Sequence, residues 1–250
     1  MSKIFDALRK AETEQRPAAP IPVFTPEPAP QSEDGILARP LPESIHRELA
    51  TLRNSIELVI PRKNKIVAFA GAVRGEGAST LASAYARFLS QELGFRVLLV
   101  DADLTGEGER LSAGPMALKE GFLQVVSDGL PAMRAVRSMN GNGPHFMPSG
   151  GHSLRTLQVF SSERARELLR DLGTSYEVVV IDSAPVTLYP EVPVLLSLAD
   201  GVVLVVQAER TRREAAQRAM SRLSGAGCNV IGAVMNRRRN VVPGFLYKRV

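Results

Sequence analysis

Tryptophan is absent from this 250-residue chain and aromatic residues make up only 5% of it, so a platform on which single-stranded bases stack is not expected. A single cysteine, Cys228, excludes an internal disulfide and fits a reducing compartment, where a buried structural thiol is the expected role. No run of about 18 apolar residues is present to span a bilayer, and the N-terminal MSKIFDALRKAE lacks the apolar core of a secretory signal. The chain is therefore expected to be cytoplasmic, and to lie at a membrane only through a partner. Charge of one sign is also scarce. With 31 basic against 26 acidic residues, the net charge of +5 selects neither nucleic acid nor a lipid surface, and no nucleic-acid partner is expected.

What is present falls into three stretches. Residues 1–16 carry Ile4, Leu8 and Ala11 at helical spacing with charges between them, which predicts a short amphipathic helix. Such a helix is marginal alone and would pack either on its own domain or on a partner. Residues 17–42 hold Pro17, Pro20, Pro22, Pro26, Pro28, Pro30, Pro40 and Pro42. This density argues against helix and sheet pairing and for an extended, semi-rigid linker. Residues 43–250 read as globular. ESIHRELATLRNSIELVI sets Ile45, Leu49, Leu52, Ile56 and Val59 on one helical stripe.

Five short apolar runs follow: IVAFA (66–70), VLLV (97–100), VVVI (178–181), VVLVV (202–206) and VIGAVM (230–235). They are continuous rather than alternating, as expected of strands buried on both faces. Helical patterns at 79–93, 161–173, 190–199 and 211–224 lie among them. Strand-helix alternation of this kind predicts an α/β fold, a doubly wound and mainly parallel sheet of the P-loop NTPase type.

In such sheets ligands bind at the carboxyl ends of the strands, and the informative residues stand there. GAVRGEGAST (71–80) follows the first run and opens a helix. Backbone N–H groups of a glycine-rich turn at a helix N-terminus form an anion nest. Gly75, Glu76, Gly77, Ala78, Ser79 and Thr80 are the candidate nucleotide-binding residues. The second run leads into Asp101-Ala102-Asp103, and the third into Asp182-Ser183-Ala184-Pro185. A phosphate nest flanked by acids from two further strand ends suits a magnesium-bound nucleotide, ATP or ADP with Mg²⁺. Asp101, Asp103 and Asp182 are the candidate catalytic acids; Ser79, Asp101 and Asp182 are the candidate metal ligands. An Asp after a strand can also be a turn former or helix cap, but three such elements in one chain point to a nucleotide site.

The loop also lacks something. A P-loop reads GxxxxGK(S/T), and Ala78 stands where the lysine belongs. That lysine lies on the β- and γ-phosphates and offsets charge in the transition state. Its loss is worth about 2–4 kcal/mol, roughly 30- to 1000-fold. Arg74, Arg210 and Arg212 could lend a cation instead, or could be solvated surface arginines.

Taken in order, GEGAST, VLLVDADL, VVVIDSAPV, ADGVVLVVQAERTRR and IGAVMNRRR resemble the motifs of bacterial tyrosine kinases of the CpsD/CapB type, within the ParA/MinD-like P-loop ATPases. KEGFLQVVSDGL and SSERARELL fit as well, and the resemblance covers 43–250. It implies a role in exopolysaccharide or capsule synthesis, an adenine contact at Asn236, self-association and an activating partner, a polysaccharide co-polymerase of the inner membrane. Two departures accompany Ala78. The family's ExxRxxR ring-assembly motif becomes Arg47, Ala50 and Arg53, so only Arg53 matches; the usual tyrosine cluster at the end is reduced to Tyr247, the one autophosphorylation candidate in the tail. The expected function is that of a nucleotide-binding regulatory pseudokinase. An active autokinase with a relocated cation and a ParA/MinD-like positioning ATPase are the alternatives. Against the latter, Val73 stands near the place of that group's second signature lysine.

Overall fold

The computed structural model describes residues 27–28, 41–106, 120–139 and 142–237. The expected N-terminal helix, most of the proline-rich stretch and the tail bearing Tyr247 lie outside the described residues.

An eight-stranded sheet organises the described chain, in the order β1-β4-β5-β3-β6-β2-β7-β8. Its strands are β1 (Glu27–Pro28), β2 (Lys65–Gly71), β3 (Val97–Asp101), β4 (Arg137–Ser138), β5 (His145–Met147), β6 (Val178–Ser183), β7 (Gly201–Gln207) and β8 (Val230–Asn236). All neighbours run parallel except β4 and β5. The helices are α1 (His46–Val59), α2 (Ala78–Gln91), α3 (Phe122–Asp128), α4 (Ala132–Ala135), α5 (Thr156–Ser161), α6 (Glu163–Ser175), α7 (Val192–Leu196) and α8 (Arg213–Gly225).

The five apolar runs form β2, β3, β6, β7 and β8. In β2, β3 and β6 every residue is buried, because helices cover both faces. Alternate side chains serve opposite cores. Val67, Phe69, Leu99, Val180 and Val203 pack against Leu49 and Ile56 of α1 and Tyr85, Phe88 and Leu89 of α2. Ala68, Leu98, Val100, Val179 and Leu204 face Phe122, Phe160, Leu169, Leu195 and Leu223 from α3 and α5–α8. Each fully buried Leu or Phe side chain contributes about 1.5–3 kcal/mol over leaving it in water, so the central strands are rigid supports for what stands at their ends.

Three expectations need correction. The run forming β8 is not buried on both faces: Gly232, Ala233 and Met235 are exposed. Among the described residues β8 ends the sheet, with β7 as its only strand neighbour, and its apolar composition does not translate into burial there. The proline-rich stretch does contribute a pairing, Glu27 and Pro28 beside Arg137 and Ser138; proline is tolerated at a sheet edge, where its missing N–H need not serve a ladder. The helix expected over 161–173 is α6 and starts two residues later, at Glu163, behind a separate short helix, α5, that was not expected. Ser162 divides them and caps α6, accepting the Ala165 N–H at 3.2 Å. Cys228 is buried as expected, and burial pushes its thiol up to about 11.

The chain leaves β2 to one side for β3 and later passes to the other side for β7 and β8. That reversal leaves a crevice at the carboxyl end of β2, the place where open α/β sheets hold ligands.

Candidate functional site

The glycine loop leaves β2 at Gly71 and enters α2 at Ala78. Gly75 and Gly77 have φ of 81° and 87°, the left-handed region that glycine enters without steric cost. Gly77 is constrained twice, since a Cβ there would stand 2.3 Å from the Asn236 amide nitrogen.

Neighbouring segments hold the loop in place. Ala72 donates its N–H to the Val205 carbonyl at 3.2 Å. The turn after β6 donates back: Val186 N–H to Gly71 O at 2.9 Å, and the Thr187 hydroxyl to Ala72 O at 2.6 Å. Arg222 of α8 secures that turn through the Val186 and Thr187 carbonyls, at 2.9 and 2.7 Å.

Glu76 is buried, at 2% exposure, and its carboxylate turns back into the loop. It accepts the Val73 N–H at 2.8 Å and the Thr211 hydroxyl. Thr211 in turn accepts the Gln207 N–H at 2.9 Å. A buried carboxylate is costly unless bonded, so Glu76 is a brace between the loop and the segment after β7. Thr211→Val removes the hydroxyl and leaves Glu76 short of a donor. It should lower stability by about 1–2 kcal/mol, read from the urea midpoint. An unchanged midpoint would remove the brace.

Two of the three acids stand side by side at adjacent strand ends. Asp101 ends β3, Asp182 lies near the end of β6, and the two are register partners on adjacent strands. Both are buried. Burial first, and the Asp101 charge second, hold the Asp182 carboxyl well above the usual carboxylate range, against a stabilising hydrogen bond from Ser79. Asp182 Oδ1 has no hydrogen-bond partner. Asp103 is half-buried and faces its own turn, accepting the Thr105 N–H at 3.0 Å and the Thr105 hydroxyl at 2.5 Å. Ser79, Asp101 and Asp182 thus form one cluster, and Asp103 borders it.

No group of three or more metal-ligating His, Cys, Asp or Glu side chains occurs among the described residues. The cluster nevertheless fits Mg²⁺, which is commonly held by one or two carboxylates with phosphates and water completing its shell. An unpartnered, buried carboxylate oxygen is the donor such an ion needs.

Ala78 opens α2 and brings only a methyl group to the cradle. Of the alternative cations, Arg74 donates to the Tyr189 hydroxyl at 2.6 Å and lies 6.0 Å from its ring centroid. Arg212 is the residue preceding α8. Arg237 was not among the expected site residues. Its guanidinium donates to Gly75 O at 3.2 Å and to Gln207 Oε1 at 3.3 Å, beside Asn236, whose amide donates to Glu76 O at 2.8 Å. Two adjacent residues at the end of β8 therefore hold two adjacent carbonyls of the loop. The only signal for this was the basic run after the last strand, which reads equally as a solvated end. On α1, Arg47 is exposed and Arg53 pairs with Glu57 at 3.8 Å.

Fold and site together define a protein of the P-loop NTPase fold, with its glycine loop, strand-end acids and loop-bracing asparagine at the carboxyl ends of a parallel sheet. Within that class the proteins that the chain is similar to include bacterial tyrosine-protein kinases. It is 29% identical over 206 residues to tyrosine-protein kinase YwqD of Bacillus subtilis, covering 82% of this chain and 86% of the relative. It is 24% identical over 176 residues to tyrosine-protein kinase CpsD of Streptococcus agalactiae, covering 70% and 76%. The solved BceF tyrosine kinase domain superposes with a TM-score of 0.65 at 26% identity, covering 76% of each chain. No family model matches the chain.

Proposed function

We propose that the chain binds a magnesium-bound adenine nucleotide between the 71–80 loop and the Ser79, Asp101 and Asp182 cluster, and that it acts as a regulatory pseudokinase in exopolysaccharide or capsule synthesis. The observation that carries this reading is a cradle complete in its glycines, hydroxyl and buried acids but with Ala78 at the lysine position. The names of the relatives support the kinase lineage, and one relative is a putative tyrosine-protein kinase in the cps region of Klebsiella pneumoniae.

Mg²⁺ bound with the nucleotide would neutralise charge on the phosphates. Ser79 and the two acids would hold that ion, and the loop amides and the start of α2 would receive the phosphates. Asn236 would lie against the adenine. Asp103 would orient the turn beside Asp101. What the chain does not place on the transferring group is a positive charge from position 78. Positioning and charge neutralisation are the main sources of phosphoryl-transfer rate, so binding survives the change better than turnover.

Activation would come from a polysaccharide co-polymerase of the inner membrane, with the chain peripheral to that membrane through this partner. Among the described residues no helix is long and apolar enough to cross a membrane. Residues 1–16 would act as a docking helix, and residues 17–42, apart from the edge pairing of Glu27 and Pro28, as a spacer for a domain starting near Glu43. Limited proteolysis should then cut first before Glu43 and leave residues 66–206 intact; early cleavage inside that span would refute the boundary.

The reading is tested by measuring ATP binding and autophosphorylation side by side, with and without the cytoplasmic segment of a candidate co-polymerase. Binding without appreciable autophosphorylation is expected. Rapid autophosphorylation of Tyr247 by the unaltered chain would replace it with the active-kinase reading.

A further inference from the structure

A second concave site lies at the opposite end of the sheet from the glycine loop. It is an open groove of about 410 Å³ between α6, the start of β2 and the segment joining α7 to β7. The six steps from Lys65 to Gly71 along β2 separate it from the phosphate cradle by roughly 20 Å.

Its walls are cationic. Arg166 and Arg170 stand one turn apart on α6, and Arg62 faces them from the approach to β2. Among the described residues the one carboxylate in the lining is Asp200, and it is already committed: it accepts the Ile66 N–H at 2.7 Å and pairs with Arg62. Among the described residues the acidic partner of the α6 arginines is Glu163, at 3.5 and 4.0 Å, and that side chain is 66% exposed. Exposed pairs of this length contribute little, so Glu163 can leave at little cost when a better anion arrives. The usual objection to an anion at a helix C-terminus is reduced here, because Asn64 donates to the Gly173 and Thr174 carbonyls at 3.2 Å each. The floor is apolar, built from Ile66, Leu169 and Leu198. A volume of this size suits a small molecule rather than a single ion.

We propose that this groove is a binding site for a small organic phosphomonoester, with the phosphoryl group between Arg166, Arg170 and Arg62 and an apolar stem on the Ile66, Leu169 and Leu198 floor. A phosphoryl dianion takes charge-assisted hydrogen bonds from more than one guanidinium at once, as Arg forks favour. A carboxylate carries half that charge. The site is independent of the nucleotide cradle and does not require the function proposed for it.

The test is a methyl-resolved NMR titration of the full chain with phenyl phosphate, read at Ile66, Leu169 and Leu198, too far from the glycine loop to report binding there. Saturable shifts at these methyls are expected. R166E/R170E should weaken them at least tenfold, and the gentler R166Q/R170Q severalfold with an unchanged melting temperature. Benzoate should bind more weakly than phenyl phosphate because of its lower charge, and inorganic phosphate more weakly because it lacks the stem. No saturable shift at these methyls, or one that persists in R166E/R170E, would overturn the site. Equal affinity for benzoate would overturn the phosphoryl assignment, and equal affinity for inorganic phosphate would overturn the role of the floor.

Discussion

Replacing Ala78 with lysine is expected to raise autophosphorylation or ATP hydrolysis by at least tenfold, with a ceiling of roughly 1000-fold if the full 2–4 kcal/mol of a cationic contact is recovered. Position 78 is the first residue of α2, directly after the left-handed Gly77, and the surrounding machinery is in place. Ser79 already bonds to Asp182, and Glu76 is braced through Thr211. The new ammonium would enter a cradle whose shape does not depend on it. Its attraction grows as charge develops on the departing phosphoryl group, so the rate should gain more than ATP affinity does. Single-turnover kinetics with ATP separate the two quantities. Equal rates for the unaltered and lysine proteins would end the pseudokinase reading, and Arg74→Ala and Arg237→Ala would then show which guanidinium substitutes.

The second large effect is expected at Asp182. Its carboxyl titrates well above the usual carboxylate range because it is buried beside Asp101. The folded protein therefore holds a proton there that the unfolded chain has already released. This stabilisation of the protonated form is complete below the unfolded value and is lost as pH rises through the raised one. Metal binding requires the deprotonated form, so affinity for a magnesium-bound nucleotide should rise over that same interval. Asp182→Asn keeps a carbonyl to accept from Ser79 and sets an amide near Asp101 in place of a second charge. It should weaken Mg-ADP binding at least tenfold while raising the melting temperature by about 2–4 °C for each ~1 kcal/mol gained. Loss of stability with unchanged affinity would mean that Asp182 is a structural acid.

The site was legible where chemistry forces residue type onto local spacing. Gly75 and Gly77 announced a glycine-rich turn, and Asp101 and Asp182 stood directly after unmistakable strands. The central strands were legible because burial on both faces demands unbroken apolar runs. β4 and β5 were not, being two and three residues long and held by neighbours rather than by their own pattern. Exposure at β8 was misread because apolar composition does not reveal which strand ends a sheet. The bracing pairs were invisible for a different reason: Glu76 with Thr211 and Arg237 with Gly75 are separated by 135 and 162 positions, and nothing local distinguishes Thr211 and Arg237 from ordinary surface residues. The N-terminal segment and Tyr247 remain readings of sequence alone.

The central claim is that this cradle still holds a nucleotide without its lysine. Calorimetric titration of the unaltered chain with Mg-ADP tests it most directly. A saturable, weak isotherm is expected, weakened further by Ser79→Ala or Asp101→Ala; no detectable heat at millimolar nucleotide, with the protein folded, would contradict it.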